Sequence, residues 1–245
     1  MSLTVILSFV VTTIISALMI PLVIKAGNQL GIVAHMNKRT VHKHEIARIG
    51  GYAIYLSSLI GSALFLKADH QINAIMVAGF IIFMVGLYDD SHDLSPKVKL
   101  IFEVIAALIV IVYGEIYIKG FGYFPSDAMT FLSGVVTLFW IVGITNAINL
   151  IDGLDGLSAG ISIIVLVTIS MTSLLSGRSD IASLSLILAG SIMGFLFFIF
   201  HPAKIFMGDC GALYIGFMIS VISLLGFGYN ASAFFTLGAP IIVLM

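Results

Sequence analysis

The sequence has little of what a soluble domain puts on its surface. Only 9% of its 245 residues are charged, and 11 Lys plus Arg nearly balance 12 Asp plus Glu, for a net charge of −1. Without a basic excess there is no electrostatic case for a nucleic-acid partner. The lone cysteine, Cys210, rules out an internal disulfide, and no Cys/His cluster has the makings of a zinc site. No low-complexity segment or soluble domain interrupts the chain. The first apolar run, "MSLTVILSFVVTTIISALMIPLVIK", has no basic residue before it and no A-x-A-like end. These absences argue against a cleaved signal peptide and for a retained first span.

What is abundant is apolar. Hydrophobic residues make up 60% of the chain, with 18 Phe and 11 Met beside one Trp, and mean hydropathy is +1.18. Apolar stretches of about 18 or more residues recur throughout, as in transmembrane helices. The expected fold is all-α, a polytopic transmembrane bundle. Its spans fall near 3–24, 50–66, 72–88, 99–113, 129–146, 159–176, 181–200 and 211–228. A ninth begins near Ala231 and is cut at Met245 without a polar cap. The chain therefore reads as one integral-membrane domain over 1–245, incomplete at its C-terminal end.

Loop charge predicts orientation. Segments after odd-numbered spans hold Lys25, Lys38, Arg39, Lys43, Arg48, Lys97, Lys99 and Lys204, whereas those after even-numbered spans hold only Lys67, Lys119 and Arg178. This asymmetry puts the odd loops in the cytoplasm and the N-terminus outside. Asp89, Asp90, Asp93, Asp152, Asp155 and Asp209 fall in or beside those same loops. Three acidic clusters, distant in sequence, are thus expected on one membrane face.

Each cluster has its own grammar. In "GLYDDSHDLSPKVKL", Ser95 reads as an N-cap with Pro96 at the first helical position. Lys97 and Lys99 then sit in a first turn where the helix dipole disfavours cations, unless an anion joins them there. Asp93 reads as a loop residue ahead of the cap. In "TNAINLIDGLDGLSAG", Asp152 and Asp155 stand at i,i+3 and share a face if they lie on a helical turn, and Asn146 and Asn149 have the same spacing. Gly153, Gly156 and Gly160 allow a tight turn or a close backbone approach. In "IFMGDCGALYIGF", Asp209 stands between Gly208 and Gly211, with Phe206 just before. A fourth stretch, "RTVHKHEIARIGG", carries Arg39, His42, Lys43, His44 and Arg48. Glu103 lies within the fourth span and should face the bundle interior; His201, before Pro202, reads as structural. Hard oxygen donors, lysines and glycine-rich backbone on one face suit Mg²⁺ shared with substrate phosphates. They also suit phosphoryl transfer, which needs mainly positioning and charge neutralisation.

The four stretches, in this order, resemble the polyprenyl-phosphate N-acetylhexosamine-1-phosphate transferase family. That resemblance implies transfer of N-acetylhexosamine 1-phosphate, by preference N-acetylglucosamine 1-phosphate, from a UDP-sugar to polyprenyl (undecaprenyl) phosphate. UMP is released, and Mg²⁺, or Mn²⁺ in its place, is required. The implied setting is a bacterial inner membrane with the site on the cytoplasmic face, at the first membrane step of a cell-envelope glycan; a homodimer is left open. Residue by residue, Asp209 and Asn149 match metal ligands, and Asp89, Asp90 and Asp152 the catalytic acids. Lys97 and Lys99 match a basic pair near the phosphates. Arg48 and Asn146 join the substrate contacts, Gly153, Leu154 and Asp155 match a turn that meets uridine, and Phe206 a ring that stacks on uracil. Ala47 and Ala212 depart from the family's usual Pro and Ser, and its His-containing loop would lie past Met245.

Asp89 is the acid often cast as base on the lipid phosphate, yet a phosphomonoester with a second pKa near 6 is mostly dianionic at neutral pH. A positioning role therefore stays open beside the base role. The alternative within the family is the phospho-N-acetylmuramoyl-pentapeptide branch, from which "SPKVKL" points away. A CDP-alcohol phosphatidyltransferase is disfavoured because Gly160 stands where its motif has Arg. A transporter would place acids near the bilayer midplane, whereas here they gather at span ends.

Overall fold

The computed structural model describes residues 3–34, 46–118, 127–153, 156–200 and 203–227. Long apolar runs become helices because a backbone inside hydrocarbon must satisfy its own hydrogen bonds. The helices are α1 (Leu3–Leu30), α2 (Gly51–Phe65), α3 (His70–His92), α4 (Pro96–Leu108), α5 (Asp127–Ile151), α6 (Leu157–Leu175), α7 (Ser179–Ile199) and α8 (Gly208–Phe227). A π-helical turn, Ile109–Tyr113, extends α4. Two short strands, β1 (Val33–Ala34) and β2 (Ile46–Ala47), pair antiparallel with Val33 opposite Ala47. The all-α polytopic architecture expected from hydropathy is present, and each of the first eight expected spans is helical. Six of them (α1, α3, α5, α6, α7 and α8) are long and apolar enough to cross a membrane, while α2 has 15 residues and α4 only 13 before its π turn. The ninth expected span lies outside the described residues.

The bundle is built around α8. Apolar on all sides, it can only be an interior helix, and it packs against α2, α3, α5, α6 and α7. Tyr214, Phe217, Ile215 and Ile222 are all buried along it. Its one long polar side chain in the core, Tyr214, shares a 2.7 Å hydrogen bond with Ser58 of α2 and meets the Tyr55 ring edge-on. On α5, Trp140 Nε1 donates to Ser223 Oγ at 3.1 Å. At the C-terminal end of α8, Arg178 donates to the Leu225 carbonyl at 2.5 Å, a cation where the helix dipole favours one. α1, by contrast, is a peripheral helix on α7 and α2, with Leu3, Ile14, Leu18 and Leu22 exposed.

Close helix packing in a bilayer depends on small residues. At Gly51 a Cβ would sit 2.1 Å from the Gly211 nitrogen, so the start of α2 touches the first turn of α8 backbone to backbone. Beside this contact the chain before α2 and the chain before α8 run as an extended pair. Phe206 N donates to Ala47 O at 2.9 Å, Gly50 N to Phe206 O at 2.9 Å and Gly51 N to Met207 O at 2.8 Å. The end of α3, the starts of α2, α4 and α8 and the α5–α6 turn thereby come together at one end of the bundle.

Candidate active site

The site begins with a carboxylate that serves the fold. Asp90, on the last turn of α3, has a fully buried side chain and accepts from Asp209 N at 2.7 Å and Cys210 N at 3.0 Å. It therefore caps α8 from another helix, satisfying backbone donors that a helix start leaves free. Gly208, which opens α8, has φ +77°, and a Cβ there would lie 2.4 Å from the Arg48 carbonyl and 2.6 Å from Asp90. Only glycine meets both demands. Asp209 is thus carried inside the first turn of α8, and the acceptor for its own N–H is Asp90.

Around Asp209 the charges interlock. Lys99 Nζ bridges Asp89 at 2.9 Å and Asp209 at 3.0 Å. Arg48 Nη2 reaches Asp209 at 2.8 Å, with Nε 3.7 Å from Asp90. Asp89, 7% exposed, also accepts from Leu94 N at 2.6 Å; the turn that supplies this N–H closes on Asp93, whose φ is +47°. Burial works against the Arg48 charge, but Asp90 and Asp209 more than offset it and raise its hold on the proton. Three carboxylates against two cations leave this cluster one negative charge in excess.

Lys97 and Lys99 part company. Lys99 enters the cluster, whereas Lys97, two residues earlier on α4 and so on another face, is exposed. Ser95 is the N-cap residue with Pro96 following, as its sequence suggests, but its side chain makes no capping bond.

The α5–α6 turn forms the other half. Asp152 lies just past α5, and its Oδ1 accepts from Ser158 Oγ at 2.5 Å. Burial pushes its carboxyl up to about 6, with Ser158 working the other way and Asp209 adding repulsion. Arg48 and Asp90 also lie within its electrostatic reach. Asn149 is half-buried, Gly153 is exposed, and Gly156 turns the chain into α6 at φ +80°. Asn146 donates to Glu103, which is 2% exposed and faces the interior as expected. Phe206 is half-buried, three residues before Asp209 on the extended segment. Leu154, Asp155, His201 and the 39–44 stretch lie outside the described residues.

Ser158, the Leu94 N–H and the Glu103–Asn146 bond were not singled out in the sequence. Ser158 is six residues from Asp152, a separation with no periodic signal, and Glu103 and the α8 N–H groups lie more than 40 positions from Asn146 and Asp90 respectively. Among the described residues no three Asp, Glu, His or Cys side chains form a ready metal cage. Mg²⁺ does not need one, since it keeps waters and shares its shell with phosphate oxygens. Asp209 and Asn149 offer oxygens of the hard kind it takes, but Arg48 and Lys99 hold both oxygens of Asp209 here, so a metal would have to share or displace these cations. Apolar grooves flank the end of α3, one lined by Val23, Ile49, Tyr52 and Leu87, the other by Met84, Tyr88, Leu94 and Phe102. Hydrocarbon-compatible surface thus runs up to the charged cluster.

Residues 72–227 match glycosyl transferase family 4. Over 247 residues the chain is 39% identical to the probable undecaprenyl-phosphate N-acetylglucosaminyl 1-phosphate transferase of Bacillus subtilis (strain 168), covering 98% of this chain and 68% of that protein. It is 33% identical to the decaprenyl-phosphate N-acetylglucosaminephosphotransferase of Mycobacterium tuberculosis (strain CDC 1551 / Oshkosh), covering 89% and 61% respectively. It is also 30% identical to the phospho-N-acetylmuramoyl-pentapeptide-transferase of Streptococcus sanguinis (strain SK36), covering 88% and 72%. The chain thus spans 61% to 72% of the length of these three relatives. With motifs in order along the whole chain and a family match over most of it, the chain belongs to glycosyl transferase family 4, among the polyprenyl-phosphate hexosamine-1-phosphate transferases.

Proposed function

We propose that the full-length protein transfers N-acetylhexosamine 1-phosphate, by preference N-acetylglucosamine 1-phosphate, from a UDP-sugar to polyprenyl phosphate at the cytoplasmic face of a bacterial plasma membrane. The observation that carries this is the Lys99 ammonium held between Asp89 and Asp209, with Arg48 on the far side of Asp209. Two cations are fixed among carboxylates at the end of an apolar bundle. With a divalent cation to outweigh the cluster's one excess negative charge, that arrangement suits an amphiphile with a phosphate head, and the flanking apolar grooves suit its tail. The names of the Bacillus and Mycobacterium relatives favour an N-acetylglucosaminyl phosphate donor. The Streptococcus relative keeps a muramoyl-pentapeptide donor as the second reading.

The reaction joins a lipid phosphate oxygen to the β-phosphorus of the UDP-sugar and breaks the bridging oxygen–β-phosphorus bond, whose electron pair leaves with UMP. A dianionic lipid phosphate makes the charges balance with no proton removed, which fits a second phosphate pKa near 6. Asp89 already accepts from Leu94 N and Lys99, so in this reading it aims the lysine and takes no proton. Lys99 and Arg48 neutralise charge as it shifts across the phosphates. Asp209 and Asn149 would hold Mg²⁺, which supplies Lewis-acid stabilisation to the diphosphate. Phe206 and residues 153–155 would grip the uridine.

The test is release of UMP from UDP-N-acetylglucosamine by membranes containing the full-length protein, with Mg²⁺ and undecaprenyl phosphate. A panel of UDP-N-acetylhexosamines, including the muramoyl-pentapeptide donor, assigns the sugar. No UMP from any of them would sink the proposal.

A further inference from the structure

Glu103 lies one helical turn beyond Lys99 on α4, and at 2% exposure it is among the most buried charged-type side chains in the bundle. Its Oε2 accepts from Asn146 Nδ2, and the same amide nitrogen donates to the Val142 carbonyl at 2.9 Å. Both acceptors belong to groups that offer no N–H in return, so the amide can face only one way. The two N–H bonds of Asn146 are consumed, and its carbonyl oxygen alone is left for other use. Glu103 Oε1 has no hydrogen-bond partner among the described residues, so Asn146 carries most of what satisfies this carboxyl.

We infer that Glu103 is a positioning residue that turns the Asn146 amide so that it presents a carbonyl oxygen to the site. An oxygen there accepts from an N–H or O–H of the sugar nucleotide, or from a metal-bound water, and gives no hydrogen bond to a phosphate. The inference rests on the transferase proposal and deepens it by assigning the chemical sense of the Asn146 contact. It also separates Asn146 from Lys99 and Arg48, which serve anions.

Reversing the pair tests this in the full-length protein. Asn146→Asp alone sets two carboxyls face to face, and kcat/KM for the UDP-sugar should fall about a hundredfold, the scale of a buried group left badly paired. Glu103→Gln alone offers Asn146 an N–H as well as an oxygen, so the amide is no longer held in one sense and kcat/KM should fall about tenfold; an unchanged kcat/KM would overturn the inference. In the double variant the amide introduced at position 103 can donate to the carboxylate introduced at position 146, which gives up the bond to the Val142 carbonyl but again shows an oxygen outward. There kcat/KM should return to within about tenfold of wild type. The apparent melting temperature in detergent, measured on wild type and all three variants, should recover in the double variant as well. Recovery of melting temperature without recovery of kcat/KM would show a merely structural pair and overturn the inference. No recovery of either, in a wild type that releases UMP, would overturn it too. A wild type that releases no UMP from any donor would take down the transferase proposal, and this inference with it.

Discussion

The two halves of the site are held by different means. Around Asp209, carboxylates and cations are tied to one another and to backbone N–H groups: Lys99 to two aspartates, Arg48 to Asp209, and Asp90 to the first turn of α8. Around Asp152, the ties are fewer, Ser158 to Asp152 and Asn146 to Glu103 and to the Val142 carbonyl of its own helix, and Gly153 is exposed. The first half is a preorganised charge platform whose geometry costs little reorganisation when charge moves. The second is less tightly tied, which fits the proposal that this side admits and releases a nucleotide. The contrast says that changes on the first half should cost turnover, and changes on the second should show in pH dependence and donor affinity.

Lys99 is where that contrast can be broken most sharply. Lys99→Met leaves Asp89 and Asp209 with no ammonium between them and takes away a phosphate-neutralising charge. We expect a loss of about a thousandfold in kcat, the upper range for removing one preorganised donor, measured as UMP release. A loss below tenfold would mean that the charge platform is not where the chemistry is.

Next comes the pair of neighbours Asp89 and Asp90, which the platform separates by role. Asp89→Asn should lower kcat by about a hundredfold, with the same loss at every pH, because it aims Lys99 and removes no proton. Recovery of rate as pH rises would restore the base role instead. Asp90→Asn should act first on stability. One of the two α8 N–H groups would face an amide donor, a cost of about 2 kcal/mol for a buried group left unpaired. Its apparent melting temperature in detergent should drop well below that of Asp89→Asn.

Much of this was legible in the sequence, and for identifiable reasons. Hydropathy placed a helix at each of the first eight expected spans, since in hydrocarbon the backbone has no other way to satisfy itself. Span-end acids pointed to Asp89, Asp90 and Asp209 as one cluster, because alternate loops of a helical bundle share a face. The division of labour within the cluster was not legible. That Asp90 serves α8 depends on a hydrogen bond spanning 119 positions, and neighbouring aspartates look alike in a string of letters. The separation of Lys97 from Lys99 follows from where α4 begins and which of its faces meets Asp209. Leu154 and Asp155, expected at the uridine turn, fall outside the described residues and are not tested by the fold.

On the second half, Asp152 should set a pH limb. Its carboxyl is raised from 3.8 to about 6 by burial. If the ionised form serves the substrate or metal, kcat/KM should fall about tenfold for each pH unit below about 6. Asp152→Asn should flatten that limb at a lower plateau. The effect on stability has the opposite sign. A carboxyl whose folded pKa is raised holds its proton longer when folded, so its contribution is full below 3.8 and is lost as pH rises through about 6. A melting-temperature series across that window, lost in Asp152→Asn, checks the sign independently of activity.

The smallest effect is expected at Lys97, and it bears most directly on how the two lysines were read. Their resemblance to a basic pair implies that both meet phosphate, but only Lys99 joins the cluster while Lys97 stays exposed on another face of α4. An exposed ammonium acts at longer range and is screened by salt. Lys97→Ala should therefore raise KM for the lipid phosphate by about threefold at low ionic strength, with kcat unchanged, and the difference should vanish near 0.5 M salt, where the Debye length is only about 4 Å. A drop in kcat as large as that of Lys99→Met would mean that α4 turns Lys97 inward once substrate is bound, and that the platform is completed only in the complex.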